Sequence, residues 1–479
     1  MTDKETSIRE QELLARIAEL EAENAFLRAS IAELEQQLSK LIDSHDSAKT
    51  SDHSDSDASP SVPAFVKPKH HKKRHKKPGQ KPGHTGSYRQ RPTEADEIVE
   101  VTLEDCPYCH SVLNDIKTCE QYVEEIIPAH TTVICYRTYK GYCPNCQRTV
   151  QSRHPDQIPN RMIGSRALLL AADMKHGLGV PYRKVATSLK RLCGLSITAG
   201  ALVQEMSVLA KWLKPEYEAI QSAMRQSPSV NIDETGWRLD GESCWLWAFT
   251  NDSFTIYEVN PSRGHQVVLK QLGEDYCGTI ISDFFTAYNP LPYKQQKCLV
   301  HLLRELSQSK NDTDEFMAFR KKLTRLLRDA LRLKQRMYKY VTDTKTKIPQ
   351  ETYDRLLERI HNRLSELCRA SYQTHDCQRL SKRLNKHSHQ LFTFLEEMNV
   401  DSNNNRAERA IRPAVVTRKI SGGNRSPVGA SALSIITSII QTCKQQRRDF
   451  VEVGMEIIRR YHANLPTGVL LANATPVPT

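Results

Sequence analysis

Ser229-Val-Asn-Ile-Asp-Glu-Thr-Gly-Trp-Arg-Leu-Asp-Gly-Glu-Ser-Cys-Trp-Leu-Trp-Ala-Phe-Thr250 reads as a β-hairpin. A first strand runs through Asn231, Ile232 and Asp233. Asp240-Gly241 is a dipeptide that tolerates the positive φ angles of a tight turn, and Cys244 to Phe249 returns as a strand rich in aromatics. Phe254 to Val259 reads as a third strand, His265 to Gly273 has helical character, and Gly278 to Ser282 is a short buried strand with Asp283 at its end.

That order, three strands, a helix and a fourth strand, with one Asp inside the first strand and another ending the fourth, predicts a ribonuclease-H-like α/β sheet. Its first and fourth strands lie side by side, so Asp233 and Asp283 can share one metal pair. Cys298 to Leu306 opens a strongly charged helical region that runs to about Met398 without a strand-like segment, and is read as an all-helical insertion. Beyond it, Asn403 or Asn404 can cap a helix carrying Glu408, and Pro413 is expected to kink or end that helix. The expected core is therefore split, 226–295 and 399–445, around an insertion at 296–398, with a C-terminal helix and tail at 446–479.

Upstream, in a helical region assigned to 154–225, Ser165 to Leu213 are helical in period, broken at Gly177 to Pro181 and at Cys193 to Gly200, the last helix spanning Ala201 to Leu213. The second break has the length of a helix-turn-helix, a DNA-binding arrangement that ordinary helical domains also contain. Residues 96–153 favour short strands, including Tyr122 to Ile127 and Thr132 to Tyr139, and carry two knuckles, Cys106-Pro-Tyr-Cys109 and Cys143-Pro-Asn-Cys146. Four thiolates in two Cys-x-x-Cys pairs suit one tetrahedral structural Zn²⁺, so a zinc-ribbon-like domain is expected, with Cys119 and Cys135 as small buried residues. A redox reading of either pair would need a surrounding βαβ pattern, which is missing.

Residues 44–95 read as an acidic, then basic, linker. Val66 to Arg91 holds ten Lys or Arg and four His with no apolar periodicity, which fits a solvated tail or a phosphate-tracking arm through Lys72, Lys73, Arg74, Lys76 and Lys77. In residues 8–43, Leu13, Leu20, Leu27, Leu34 and Leu41 recur every seven positions, with Ile17, Asn24, Ile31 and Leu38 between them. This heptad seam predicts a parallel leucine-zipper dimer, a single amphipathic helix being the alternative.

The 479 residues suffice for several domains, and Lys plus Arg number 68 against 56 Asp plus Glu. Residues 1–60 nevertheless carry a net −8, leaving +20 for the remainder. Such a field favours a polyanion, nucleic acid being the common one. The apolar runs fall far short of the roughly 20 residues of a membrane span, no signal-peptide layout is present, and thirteen scattered cysteines suit reduced thiols. A cytoplasmic, nucleoid-associated protein is expected.

Asp-Glu-Thr-Gly-Trp-Arg at 233–238, Trp-Leu-Trp at 245–247, Ser-Asp-Phe-Phe-Thr-Ala-Tyr at 282–288, Cys-Leu-Val-His-Leu-Leu-Arg at 298–304 and Asn-Asn-Arg-Ala-Glu-Arg-Ala-Ile-Arg-Pro at 404–413 resemble the blocks of insertion sequence 66 family transposases. The Lys-Pro-Gly arm, the knuckles and Arg-Lys-Ile-Ser-Gly-Gly at 418–423 are similar too. The resemblance implies a DDE transposase that binds transposon ends and performs metal-dependent strand cleavage and strand transfer. Its catalytic triad falls on Asp233, Asp283 and Glu408, holding two Mg²⁺ or Mn²⁺ ions. Asp233 is preferred to its neighbour Glu234 on the family's pattern, and Asp401 is read as a cap or surface residue. His301, with Cys298 in a Cys-x-x-His pair, is read as a packed histidine, not a ligand. Arg409 and Arg412 join the basic arm as candidate DNA contacts. Expected partners are transposon-end and target DNA, a second copy in a synaptic dimer or larger assembly, and small accessory proteins of the same element. A catalytically inactive DNA-binding protein and a structure-specific nuclease on the same fold are the alternatives.

Overall fold

The computed structural model describes residues 129–158, 161–309, 311–342 and 349–472, with scattered residues between 92 and 124. The chain divides into two compact units, Met1–Tyr122 and Val123–Thr479, and every element below belongs to the second. The heptads of 8–43, the basic arm, Cys106, Cys109 and Cys119 lie outside the described residues.

Strands β1 (Lys140–Cys143) and β2 (Arg148–Gln151) form an antiparallel hairpin whose turn carries the second knuckle. Thr132 to Tyr139, expected as a strand, has no regular structure, and Cys135 is exposed, not buried. The helical region opens with α1 (Ser165–Ala172), continued by a π-helical turn at Asp173–Gly177, then α2 (Tyr182–Cys193) and α3 (Ala199–Met224). Both predicted breaks are present. Helix α3, however, runs well past Leu213, through Pro215, and buries Leu202, Met206, Leu209, Leu213, Ile220 and Met224 along its length. That face belongs to the main core.

Next come β3 (Ser229–Leu239), β4 (Glu242–Thr250), β5 (Thr255–Asn260), α4 (His265–Leu272), β6 (Thr279–Ser282) and β7 (Lys294–Lys297). They build a mixed five-stranded sheet in the order β5-β4-β3-β6-β7. The β3–β4 and β4–β5 pairs are antiparallel, and the β3–β6 and β6–β7 pairs are parallel. The hairpin turns at Asp240 (φ 53°) and Gly241 (φ 83°), the left-handed pair its sequence predicts. Strand β7, Lys-Gln-Gln-Lys, has no apolar residue and is invisible to hydrophobic patterning. Its Gln295, Gln296 and Lys297 are nevertheless buried, and Gln296 donates to the Leu391 carbonyl and accepts from Phe394 N–H.

The insertion is helical among its described residues: α5 (Leu299–Gln308), α6 (Asp314–Thr342), α7 (Gln350–Arg369), α8 (His375–Lys386) and α9 (Thr393–Glu396). It has its own core of Leu302, Phe316, Phe319, Leu323, Leu364 and Phe392, joined to the sheet through Ile281.

The chain then returns to the sheet as α10 (Asn405–Ser421), α11 (Pro427–Gln445) and α12 (Phe450–His462). Pro413 neither ends nor shortens α10. Ile411 and Ala414 on either side of it are buried against Trp237, Leu246 and Tyr257, and the Tyr257 hydroxyl donates to the Ala410 carbonyl beside the missing N–H. Helix α11 closes the open edge of the sheet. Ser434, Ser438 and Thr442, four residues apart, accept the β5 N–H groups of Val259, Tyr257 and Thr255 at 3.3, 2.8 and 3.1 Å. An edge strand that would otherwise offer unpaired donors is thereby satisfied by one helix face. Among the described residues, no helix is long and apolar enough to cross a membrane.

Candidate active site

In the β3–β6 ladder Asn231 pairs with Ile281. Two residues further on, Asp233 inside β3 and Asp283 just past β6 are therefore level, at the carboxyl end of β6. Asp233 Oδ1 accepts the Glu234 N–H at 3.0 Å, and Asp283 Oδ1 accepts the Phe285 N–H at 2.9 Å as the chain leaves β6. Burial, then the charges of Glu234, Asp283 and Glu408, push the Asp233 carboxyl up to about 7. This is the signature of acids crowded where water cannot screen them.

Glu234 lies on the other side of the strand and is already satisfied. Its carboxylate, 3% exposed, takes the Arg263 Nε and a guanidinium NH₂ at 3.0 and 2.9 Å and accepts from the Tyr288 hydroxyl. The Arg263 guanidinium stacks on Phe285 and Trp245, 3.8 and 4.2 Å from the ring centres.

Glu408 is carried on the first turn of α10, anchored by a residue whose role differs from the expected one. Asn404 stands at the N-cap but makes no capping bond with its side chain. Buried to 1% exposure, it donates through Nδ2 to the Ile232 carbonyl at 2.7 Å, accepts from Asn231 Nδ2 at 3.1 Å, and gives its own N–H to Cys298 Sγ at 3.2 Å. Asn403 Oδ1 instead accepts the Asn405 N–H. Asp401 pairs with Arg406 at 3.5 Å, as a surface residue does.

The Glu408 carboxylate faces α5, with Oε1 3.6 Å from His301 Nε2 and Oε2 3.9 Å from an Arg304 NH₂. Cys298, His301 and Glu408 offer ligand atoms within 4.8 Å of one another, and they are the group of that kind found among the described residues. Asp233, Asp283 and Glu408 thus converge on the carboxyl end of β6 without closing to that spacing. His301, read from the sequence as a packed histidine, has its Nε2 beside Glu408, and its Nδ1 is buried without a hydrogen-bond partner. The Cys298 thiol is fully buried, which raises its pKa, and it serves as an acceptor for the start of α10.

Lys297 gives no signal in the sequence because it sits in the all-polar β7. Its Nζ is buried 3.2 Å from Ser282 Oγ, one residue before Asp283, and burial brings its pKa down to about 8 against the opposing pull of Asp283. Arg409 and Arg412 are exposed on α10, whereas Lys72, Lys73, Arg74, Lys76 and Lys77 lie outside the described residues. At the β1–β2 turn, hydrogen bonds from Cys146 and the Asn145 backbone hold the Cys143 thiol below its usual range. Gly423 (φ 136°) lies so close to the hairpin that a Cβ there would meet the Arg238 carbonyl at 2.3 Å, so the Ser-Gly-Gly segment is shaped by contact with β3.

The chain is similar to two proteins of Sinorhizobium fredii (strain NBRC 101917 / NGR234). Uncharacterized protein y4qI is 23% identical over 79% of this chain and 74% of its own length, and Uncharacterized protein y4jD is 22% identical over 91% of each. The family described as Transposase IS66 family matches residues 161–432, more than half of the chain and the span that holds the whole sheet, the insertion and Glu408. The chain therefore belongs to the IS66 family of transposases.

Proposed function

We propose that the protein is a DNA transposase of a bacterial insertion sequence, cutting and joining strands at a site made by Asp233, Asp283 and Glu408. The observation that carries this reading is the β3–β6 pairing, which sets two carboxylates level at the carboxyl end of β6 beside the helix that bears the third. The strand order, antiparallel on one side of β3 and parallel on the other, supports a ribonuclease-H-like sheet.

Membership of the family implies dependence on divalent metal, and the residues fit such an ion. Carboxylate oxygens are the donors that Mg²⁺ and Mn²⁺ take, and a cation gains most where crowded acids repel, as at Asp233. Asp233 and Asp283 would be the core ligands and Glu408 the third. When bound, a metal pair supplies activation of the attacking oxygen and stabilisation of the leaving one. The chain's own part is placement: β3 and β6 fix the two aspartates, Asn404 ties α10 to β3, and the Arg263–Glu234–Tyr288 cluster braces the far side of the strand.

The same proposal extends, on the sequence alone, to residues 8–153. Heptads at 8–43 would join two copies for synapsis of two ends, the basic arm would follow DNA phosphates, and Cys106, Cys109, Cys143 and Cys146 would hold a structural Zn²⁺.

The test uses the DNA flanking the reading frame as substrate with Mg²⁺ or Mn²⁺. Asp233→Asn, Asp283→Asn and Glu408→Gln should each abolish cleavage and strand transfer together while end binding persists, and Asp401→Asn should retain both. Cleavage without joined products would point to a nuclease. Cleavage that survives any of the three substitutions would overturn the ligand assignment.

A further inference from the structure

The helical insertion carries a feature that catalysis does not use. Helices α6 and α7 enclose an open groove of about 660 Å³. Lys322, Arg325, Arg332 and Arg336 line its α6 wall, and Arg359 and Arg363 its α7 wall. The carboxylates among its walls are Asp329 and Glu366, and Asp329 is occupied by Arg363 at 2.7 Å and Arg332 at 3.7 Å. Among the described residues no ion pair engages Lys322, Arg325, Arg336 or Arg359, and all four are exposed.

Positions 322, 325, 329, 332 and 336 return every three or four residues, so they share one face of α6. A merely solvated helix face intersperses both signs of charge at this spacing. Here four of the five positions are Lys or Arg, and Arg359 and Arg363 line the facing wall across an apolar floor that includes Leu326, Leu333, Ile360 and Leu367. Such a concentration of positive charge attracts a polyanion, and the planar fork of arginine matches phosphate oxygens. From Lys322 to Arg336 the stripe extends about 21 Å, roughly six base pairs of a duplex.

We propose that the α6–α7 groove is a second DNA site, which grips the phosphate backbone of a duplex away from the catalytic carboxylates. The proposal rests on the reading that the protein acts on DNA, and it gives the insertion a role, that of holding the duplex while the sheet cuts it. The competing occupant is the chain's own acidic stretch between Asp43 and Ser59, and the experiment separates the two.

Full-length protein is titrated against a random-sequence duplex of about 30 base pairs at salt concentrations from roughly 50 to 200 mM. Arg325→Gln, Arg336→Gln and Arg359→Gln combined should lower the salt slope of log affinity by about one per residue removed. Lys321→Gln, Arg328→Gln and Arg355→Gln combined remove the same charge from exposed positions of the same two helices outside the groove, and should change the slope far less. Equal losses in the two triple variants, or an unchanged slope in the groove variant, would overturn the proposal while leaving the transposase reading in place. Tighter binding by the groove variant would also overturn it and assign the groove to the acidic stretch. A wild-type protein that fails to bind the duplex at any salt would defeat the transposase reading as well.

Discussion

Asn404 donates its side-chain amide to the Ile232 carbonyl at 2.7 Å, tying the residue before Asp233 to the residue four before Glu408. Two acids separated by 175 positions in sequence are thus referenced to one buried hydrogen bond. The tie is doubled by Asn231 Nδ2, which donates to Asn404 Oδ1.

Asn404→Ala should therefore act at two levels. It takes the side-chain donor from the Ile232 carbonyl and leaves Asn231 Nδ2 only the Asn403 carbonyl at 3.5 Å, loosening the start of α10, a stability loss on the order of 1–3 kcal/mol. Ser438→Ala leaves the buried Tyr257 N–H without its acceptor and should cost a similar amount. The two variants, compared by urea unfolding, should be alike in stability. Strand cleavage should fall sharply only in Asn404→Ala, because Ser438 is on the sheet edge away from the acids; equal activity in both would remove Asn404 from any positioning role.

Glu234→Gln tests the far side of the strand. It removes the charged acceptor of Arg263 and the Tyr288 hydroxyl from a carboxylate only 3% exposed, so stability on the order of 1–3 kcal/mol should be lost. Cleavage measured at a temperature where the variant stays folded should persist, since the carboxylate is occupied by Arg263 and Tyr288. Complete loss of cleavage by folded Glu234→Gln would place Glu234, not Asp233, among the metal ligands.

The hairpin and the helical nature of the insertion are legible in the sequence because each is local: a turn dipeptide with alternating strands, and a charged helical period; the choice of Asp233 over Glu234 comes only from the family's pattern. What the sequence does not show is set by distant partners. Gln295, Gln296 and Lys297 have the composition of a surface segment, yet they are buried because the fold supplies partners: the Leu391 carbonyl and Phe394 N–H, about a hundred residues later, for Gln296, the Tyr288 carbonyl for Gln295 Nε2, and Ser282 Oγ for Lys297 Nζ. Pro413 resembles a helix end because its missing N–H is visible in the sequence, whereas the burial of Ile411 and Ala414 against Trp237, Leu246 and Tyr257 is not. His301 resembles a packed residue because Glu408, its neighbour at 3.6 Å, is more than a hundred positions away. The hydroxyls of Ser434, Ser438 and Thr442 look like interruptions of an apolar run until β5 supplies their donors.

The knuckle at the β1–β2 turn predicts metal content. Freshly purified protein should hold about one Zn²⁺ per chain, and Cys143→Ser or Cys106→Ser should release it, because a four-thiolate site does not survive on three ligands in a small module. Elemental analysis that finds no zinc in the wild type would end the zinc-ribbon assignment.

His176 predicts an acid-sensitive core. It lies in the π-helical turn, 5% exposed, with neither ring nitrogen hydrogen-bonded, in a small apolar space shared with Leu246, Tyr257, Pro413 and Leu433. Burial, reinforced by the neighbouring Lys175 charge, brings its pKa down to about 3. The folded state therefore keeps the ring neutral where the unfolded chain, at about 6.5, takes up a proton. Its contribution to stability is complete above about pH 6.5 and declines as pH falls, by about 1.4 kcal/mol per unit, until the folded pKa is reached. Between about pH 7 and 5 this amounts to about 2 kcal/mol. His176→Leu removes the titrating ring and two orphaned polar atoms while keeping the site apolar. Its urea midpoint should match or exceed that of the wild type near neutrality and fall less on acidification; a parallel fall in both proteins would show that the ring is not the group that titrates.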